Sequence, residues 1–244
     1  MINATGERPL PTLLRLPAQP GPRPLVVFSH GYLRLPEDYE VLFQAWVAAG
    51  FLVVAPTFPK TARDSADLDF DDFVGQPSAV RSTLDHVLQL SRTDGHRLFG
   101  RVDETRIAAA GHSLGGVTTV ALFASERDDR IKAGIVLAGS AYAVGTGYRA
   151  PNASLLFVHG DRDGAVPLED GRAAYEAFPG PKAWLPLKGG DHRGPYLGTD
   201  PERTAVVRQA TTDYLRWAFG DDAAFQRLTA VVGLSVGANQ DQVP

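Results

Sequence analysis

The sequence GHSLGG at 111–116 constrains the fold of this chain more than any other segment. It follows the apolar residues RIAAA, which predict a strand over 106–110, and it precedes an apolar stretch that predicts a helix over 114–125. A G-x-S-x-G sequence between a strand and a helix is typical of a sharp, strained turn that lifts the serine hydroxyl above a sheet. The alternative is a glycine-rich turn with an incidental serine, and the flanking strand and helix argue against it. Ser113 is therefore a candidate nucleophile.

The rest of the chain alternates between apolar strands and amphipathic helices. Continuous apolar runs such as LVVFS at 25–29 are typical of strands buried on both faces of a parallel sheet. Apolar residues at helical spacing predict a helix over 78–90. The other predicted strands cover 13–16, 51–55, 133–138, 154–159 and 183–187, and the other predicted helices cover 39–49, 169–178 and 202–219. This alternation predicts an α/β fold with a mostly parallel, twisted sheet and helices on both faces.

These elements predict one domain over 1–220 and a C-terminal tail over 221–244. The tail contains a possible short helix around 225–232, and its last residues, 237–244, predict disorder. The segment 139–153 joins two predicted strands and has only 15 residues. A cap needs at least two packed helices to bury an apolar face, so we expect no cap domain and an open cleft.

A serine hydroxyl is a weak nucleophile without a base, so a histidine has to accompany Ser113. At nucleophile turns of this kind the serine comes first along the chain, the acid second and the histidine last, which leaves His159 and His192. His192 lies in GGDH, a loop after the last predicted strand, at the edge of the sheet where Ser113 is expected. The acid is expected in the loop after the preceding strand, which contains both Asp161 and Asp163.

Two backbone N–H groups are expected to stabilise the oxyanion that forms when a serine attacks a carbonyl. The N–H of Leu114, the residue after the serine, is the first candidate. The second is expected in the loop after LVVFS, which reads His30-Gly31-Tyr32. There the N–H of Tyr32 is the candidate donor, and Gly31 permits the tight turn.

In this order the motifs resemble those of the α/β-hydrolase superfamily, over roughly residues 10–220. Four segments carry the resemblance: VVFSHG, GRVDETRIAAAGHSLGG, the aspartate loop and GGDH. Within the superfamily the chain is similar to the lidless bacterial esterases around the cutinase-type polyester hydrolases, and to the platelet-activating-factor acetylhydrolases. It departs from the cutinase type in having no cysteine, and in having Ser140-Ala141-Tyr142 where those enzymes carry a tryptophan.

The resemblance implies a role for several residues. The family pattern G-x-x-D-x-x-V-P selects Asp163 as the acid, and Asp161 then becomes a turn residue bonded to nearby N–H groups. Tyr32 and Leu114 would line the acyl pocket. The other residues expected in the substrate cleft are Gly31, His112 and Tyr142. The family's sheet usually has eight strands, and since only one strand is predicted before Leu25, we expect the strand at the N-terminal edge to be missing.

The function implied is that of a serine carboxylic ester hydrolase, which forms an acyl-enzyme on short-chain or polyester-like esters. Its triad would be Ser113, Asp163 and His192, with no cofactor and no metal ion. Two alternatives stay open: an amidase or peptidase of the same fold, and a non-catalytic binding protein on this scaffold. Fold alone does not decide among them.

Composition excludes several other classes. The chain has no cysteine, so thiolate nucleophiles, disulfides and Cys-ligated metals are excluded. Its formal net charge is −4 with both signs interspersed, which argues against a nucleic-acid partner. The acidic cluster within 64–72 lacks the glycine and the terminal glutamate of a calcium loop, and predicts a solvated loop. Without an apolar run of about 18 residues no membrane span is predicted. We expect a monomer, cytoplasmic by default or secreted if a signal peptide has been removed.

Overall fold

The computed structural model describes residues 2–4, 10–150 and 152–232. Eight strands lie in this part of the chain and form one sheet with the order β1-β2-β4-β3-β5-β6-β7-β8. The strands are β1 (Ile2–Ala4), β2 (Leu10–Arg15), β3 (Arg23–Ser29), β4 (Leu52–Pro56), β5 (Val102–His112), β6 (Ile131–Leu137), β7 (Ser154–Gly160) and β8 (Lys182–Leu187). β2 is antiparallel to β1 and β4, whereas the pairs from β4 to β8 are parallel. The predicted α/β class and mostly parallel sheet are confirmed.

The prediction of a missing edge strand is wrong. β1 pairs with β2 in antiparallel register, with Ile2 opposite Thr12 and Ala4 opposite Leu10. Three residues are too few to show the period-2 alternation by which a strand is read from sequence. β2 itself begins at Leu10 rather than Leu13, and this longer partner provides the edge on which β1 pairs.

Seven helices lie in the described residues. They are α1 (Glu40–Ala48), α2 (Gln76–Arg92), α3 (Leu114–Ala121), α4 (Leu168–Ala177), α5 (Gly194–Leu197), α6 (Pro201–Ala218) and α7 (Asp222–Val232). Short 3-10 turns cover Pro36–Tyr39 and Phe70–Gly75. The second of these turns lies in a region whose polar sequence predicted a loop. α5 was not predicted, because four residues are too few to show a helical period.

The sheet is buried on both faces, which explains its uninterrupted apolar strands. Val26 and Phe28 of β3 belong to one core cluster, which includes residues of α1 and α6. Leu25 and Val27 belong to the other, which includes residues of α2 and α4. Alternate side chains of a strand point to opposite faces, so β3 contributes to both cores.

Residues after 220 pack against the domain as far as they are described. The rings of Trp217 in α6 and Phe225 in α7 lie 5.7 Å apart. Arg227 in α7 also donates a hydrogen bond of 2.8 Å to Asp213 in α6. The predicted disorder of 237–244 falls outside the described residues, and the division of the chain at 220 stays a prediction.

The connection between β6 and β7 contains no helix in residues 138–150 or 152–153. This connection therefore contributes no helical cap above the carboxyl ends of the strands within the residues that the structure describes. None of the helices described is both long and apolar enough to cross a membrane.

Candidate active site

Ser113 occupies a strained turn between β5 and α3. Its φ of 55° and ψ of −118° lie in a region that residues with a side chain rarely adopt. The glycines of the motif permit this turn because other backbone passes very close to them. A Cβ on Gly111 would lie 2.0 Å from the carbonyl oxygen of Gly115, and a Cβ on Gly115 would lie 2.0 Å from that of Ser29. Only glycine fits at either position, so the sequence pattern and the turn require each other.

The structure brings Ser113, His192 and Asp163 together from three loops at one edge of the sheet. His192 Nε2 lies 2.9 Å from Ser113 Oγ, and His192 Nδ1 lies 2.7 Å from Asp163 Oδ2. The His192 loop follows β8 and the Asp163 loop follows β7. Parallel strands end at the same edge, so residues 79 positions apart along the chain meet there. In the neutral ring Nδ1–H donates a hydrogen bond to Asp163, and Nε2 accepts one from the Ser113 hydroxyl.

Asp163 is held as a carboxylate by donors on every side. Its side chain is fully buried. Burial alone would raise the pKa of Asp163, but hydrogen bonds from His159, His192 and the N–H groups of Val166 and Ala165 hold it well below its usual range. The two backbone donors each lie 2.8 Å from Oδ1. The buried acid is therefore charged and directed at the histidine ring.

Asp161, the competing aspartate, forms no hydrogen bond with this ring in the part of the chain that the structure describes. Its Oδ1 accepts a hydrogen bond of 2.5 Å from the N–H of Gly189. It links the loop after β7 to the loop after β8, as predicted for a turn residue. His159, the other histidine that chain order allowed, lies behind Asp163 with Nε2 3.4 Å from Oδ2, so it contacts the acid and not the serine.

The residues that carry the two candidate oxyanion donors, Tyr32 and Leu114, line the same cleft as the serine. Leu114 is the first residue of α3, and an N–H at that position has no acceptor within its own helix. No hydrogen bond between described residues uses the N–H of Tyr32. The peptide group that carries this N–H is fixed through its other end, because the carbonyl of Gly31 accepts a hydrogen bond of 2.9 Å from His30 Nδ1. His30 Nε2 in turn accepts from the N–H of Phe58, so Nδ1 must carry the ring proton.

The serine opens onto a cleft of about 380 Å³. One side of the cleft is apolar and aromatic, and two of its members, Tyr32 and Phe70, have rings 5.2 Å apart. The rest of that side consists of Leu114, Val117 and Tyr142. Arg34 and Arg193 also line the cleft, and neither forms an ion pair among the described residues. Gly31 and His112, which sequence placed in the cleft, also line it, although the His112 ring is buried beneath the serine.

Several residues of the site gave no signal in the sequence. Phe70 was assigned to a polar loop, and a 3-10 turn brings it to the cleft. Tyr39 was treated as the start of an ordinary helix, yet its hydroxyl lies 2.8 Å from His112 Nδ1. His30 directly follows the predicted strand 25–29, at a tight turn. This position is the single feature of the sequence that could have indicated its hydrogen bond with the carbonyl of Gly31.

A parallel sheet in this strand order, a serine at a strained elbow, and an acid and histidine that follow it along the chain together define an α/β-hydrolase. The predicted resemblance to that superfamily is confirmed. The sequence profile of the chlorophyllase family matches residues 2–139 of the 244, more than half, and the chain belongs to that family.

Several cutinases of the genus Thermobifida are also similar to the chain. Cutinase est2 of Thermobifida alba is 28% identical over 177 residues, which cover 70% of this chain and 53% of that protein. Cutinase 2 of Thermobifida cellulosilytica is 28% identical over 176 residues, covering 70% and 61%. Cutinase cut1 of Thermobifida fusca is 28% identical over 176 residues, covering 70% and 50%. The aligned part of the chain therefore spans about half the length of these relatives.

Proposed function

We propose that this protein hydrolyses carboxylic esters through an acyl-enzyme on Ser113. The observation that carries the proposal is the position of the His192 ring, which lies within hydrogen-bond distance of both Ser113 Oγ and Asp163 Oδ2. A serine, a histidine and a buried carboxylate in this arrangement activate the hydroxyl as a nucleophile.

The geometry supports the following sequence of steps. His192 Nε2 takes the hydroxyl proton as Ser113 Oγ attacks the ester carbonyl. The negative charge that forms on the carbonyl oxygen is stabilised by the N–H groups of Tyr32 and Leu114. The C–O bond to the alcohol then breaks, and His192 gives its proton to the leaving oxygen, which leaves an acyl group on the serine.

Water completes the reaction. A water molecule gives a proton to His192 Nε2 and attacks the acyl carbon, and a second tetrahedral intermediate forms. That intermediate collapses with cleavage of the bond to Ser113 Oγ, which takes the proton back from His192, and the carboxylic acid leaves. Asp163 stays ionised throughout and stabilises the imidazolium that forms twice in the cycle.

An apolar ester fits the cleft better than a strongly polar one. The side of the cleft formed by Tyr32, Phe70 and Tyr142 offers aromatic surface to an acyl or alcohol chain. The similarity to proteins named cutinases supports the same substrate class, short-chain or polymeric. The absence of a helical cap over the described connection between β6 and β7 supports activity on dissolved esters without a lipid surface.

The test uses a fluorophosphonate probe, which labels an activated serine, together with a panel of esters of increasing acyl length. We expect labelling of the wild type and none of Ser113→Ala, and turnover of dissolved short-chain esters with no rate jump at the solubility limit. Matched amides belong in the same panel. Turnover of the amides alone would favour the amidase, and absence of labelling would favour a non-catalytic binding protein.

A further inference from the structure

Two buried side chains beneath the serine take no part in the steps above. The Tyr39 hydroxyl lies 3.1 Å from the N–H of Gly31 and 2.8 Å from His112 Nδ1. On the far side of the ring, His112 Nε2 lies 2.7 Å from the carbonyl oxygen of His192. Tyr39 and His112 are 0% and 1% exposed, so water does not compete for these bonds. We call this chain of three hydrogen bonds the Tyr39–His112 relay.

Only one placement of protons satisfies every member of the relay. The His192 carbonyl can only accept, so His112 Nε2 must carry a proton. Burial, followed by the nearby His192, lowers the pKa of His112 to about 3, so the ring is neutral and Nδ1 accepts. The Tyr39 hydroxyl must then donate to Nδ1 while it accepts from the N–H of Gly31. Burial raises the pKa of Tyr39 above its ordinary range, so the hydroxyl keeps the proton that it donates.

The two ends of the relay are backbone groups of the proposed catalytic machinery. One end is the N–H of Gly31, whose next peptide group carries the candidate oxyanion donor of Tyr32. The other end is the carbonyl of His192, the proposed base. The middle of the relay, His112, directly precedes Ser113 in the chain. The relay therefore joins the oxyanion loop, the serine turn and the histidine loop, which are three separate loops of the fold.

We propose that Tyr39 and His112 are positioning residues that hold the Tyr32 N–H and the His192 ring in the correct positions relative to Ser113. The proposal rests on the proposed function, since it assigns a task within that reaction. A displacement of about 1 Å in such a site costs about 100-fold in rate. A buried, fully satisfied network resists displacement because breaking one bond leaves polar groups without water or partner.

The test compares two matched variants that remove a hydroxyl from a buried tyrosine. Tyr39→Phe removes the centre of the relay and keeps the ring, which packs 4.6 Å from that of Phe28. Tyr214→Phe is the control, because the Tyr214 hydroxyl also accepts from a glycine N–H, that of Gly134, and also bonds a second side chain, Ser154. Tyr214 lies in α6, away from the cleft.

We expect Tyr39→Phe to lower kcat about 10- to 100-fold with KM nearly unchanged, because the reacting groups and not the substrate are displaced. We expect Tyr214→Phe to keep kcat within about twofold while losing similar thermal stability. Equal loss of activity in the two variants, or no loss in Tyr39→Phe, would overturn the proposal.

His112 provides an independent test through its partner at His192. His112→Leu removes both bonds of the ring, whereas the amide of His112→Gln can still donate to the His192 carbonyl, so we expect more activity in the glutamine variant. Combined with Tyr39→Phe, the leucine variant should lose less activity than the two single losses added together, since both substitutions break the bond between Tyr39 and His112. Additive losses would show that the two residues act separately.

A measurement that needs no turnover separates this proposal from the proposed function. Nitrogen-15 NMR of the histidines should show His112 neutral, with its proton on Nε2, in the wild type across the neutral pH range. A His112 ring that carries its proton on Nδ1 or titrates near neutral pH would overturn the relay whatever the activity. A protein with the expected His112 signal but neither probe labelling nor hydrolysis would instead overturn the proposed function.

Discussion

The buried polar floor beneath Ser113 and the partly exposed aromatic rim around it differ in the kind of contact that holds their side chains in place. In the floor, made of His30, Tyr39 and His112, every ring nitrogen and the hydroxyl is hydrogen-bonded. The rim, made of Tyr32, Phe70 and Tyr142, consists of rings with centroids 5.2 to 6.4 Å apart, and Tyr142 is 59% exposed. Directional bonds fix positions, whereas ring contacts allow adjustment. The floor should therefore set the rate of the chemical step and the rim the choice of ester.

The largest effect on kcat is expected for the two residues above the floor that take part directly in the proposed reaction. Ser113→Ala and His192→Ala should each lower kcat by about 10⁴- to 10⁶-fold, because residues of a triad act as a unit. Circular dichroism should show an unchanged fold. Retention of more than about a tenth of wild-type turnover by either variant would contradict the assignment of the nucleophile and base.

The two aspartates beside the floor should differ sharply. Asp163→Ala should lower kcat by about 10⁴-fold, because His192 loses the carboxylate that fixes its tautomer. Asp161→Ala serves as the matched control, since it breaks only the bond to the N–H of Gly189 and should mainly reduce thermal stability. Similar kinetics for the two variants would show that His192 does not depend on Asp163.

The floor should also make stability fall in mild acid. Burial lowers the pKa of His30 to about 4 and that of His112 to about 3, from an ordinary value of 6.5. Below pH 6.5 the unfolded chain takes up protons that the folded rings do not, so the free energy of unfolding decreases as pH falls towards 4. Each ring contributes at most about 1.4 kcal/mol per pH unit.

Denaturant titrations across that pH window measure this slope. The slope should be shallower in His112→Gln, which has one fewer buried imidazole. The lowered pKa of Asp163 acts in a separate window, because that carboxylate stabilises the fold above its ordinary pKa of 3.8 and loses this contribution only at lower pH. An identical slope in His112→Gln would show that His112 is not held neutral by the fold.

The smallest effect is expected at the rim. Phe70→Ala and Tyr142→Ala should raise KM for apolar esters about 3- to 10-fold, through lost apolar and ring contact, with kcat within about twofold. Phe99→Ala is the control, because Phe99 is also exposed but does not line the cleft. A fall in kcat as large as that of Tyr39→Phe would remove the distinction between floor and rim.

Local sequence predicted the parts of the fold that repeat a pattern over many residues. The residues RIAAA predicted a strand over 106–110, but β5 runs from Val102 to His112. It starts earlier than predicted because Val102 pairs with Arg23 of β3 across a shift in register. The polar residues before Arg106 gave no strand pattern of their own. Pairing with a neighbour, rather than propensity, extended the strand.

The residues of the site also differ in whether the local sequence could predict them. Ser113, Asp163 and His192 each stand in a short motif whose glycines and chain order could be read locally. The relay could not be read in this way, because Tyr39 and His112 are 73 residues apart and neither lies in a motif that demands the other. Their contact depends on how the 3-10 turn before α1 and the serine turn pack against the sheet, which is a property of the folded chain.

The backbone of Ser113 places catalysis and heat resistance in opposition at one residue. A side chain held at a positive φ costs the folded state about 1–3 kcal/mol, and glycine would adopt the same conformation with less strain. Ser113→Gly should therefore melt at a higher temperature than the wild type, as calorimetry would show, while losing the hydroxyl. A directed-evolution campaign that selects for thermal survival alone would enrich this inactive variant, so each round needs an activity screen as well.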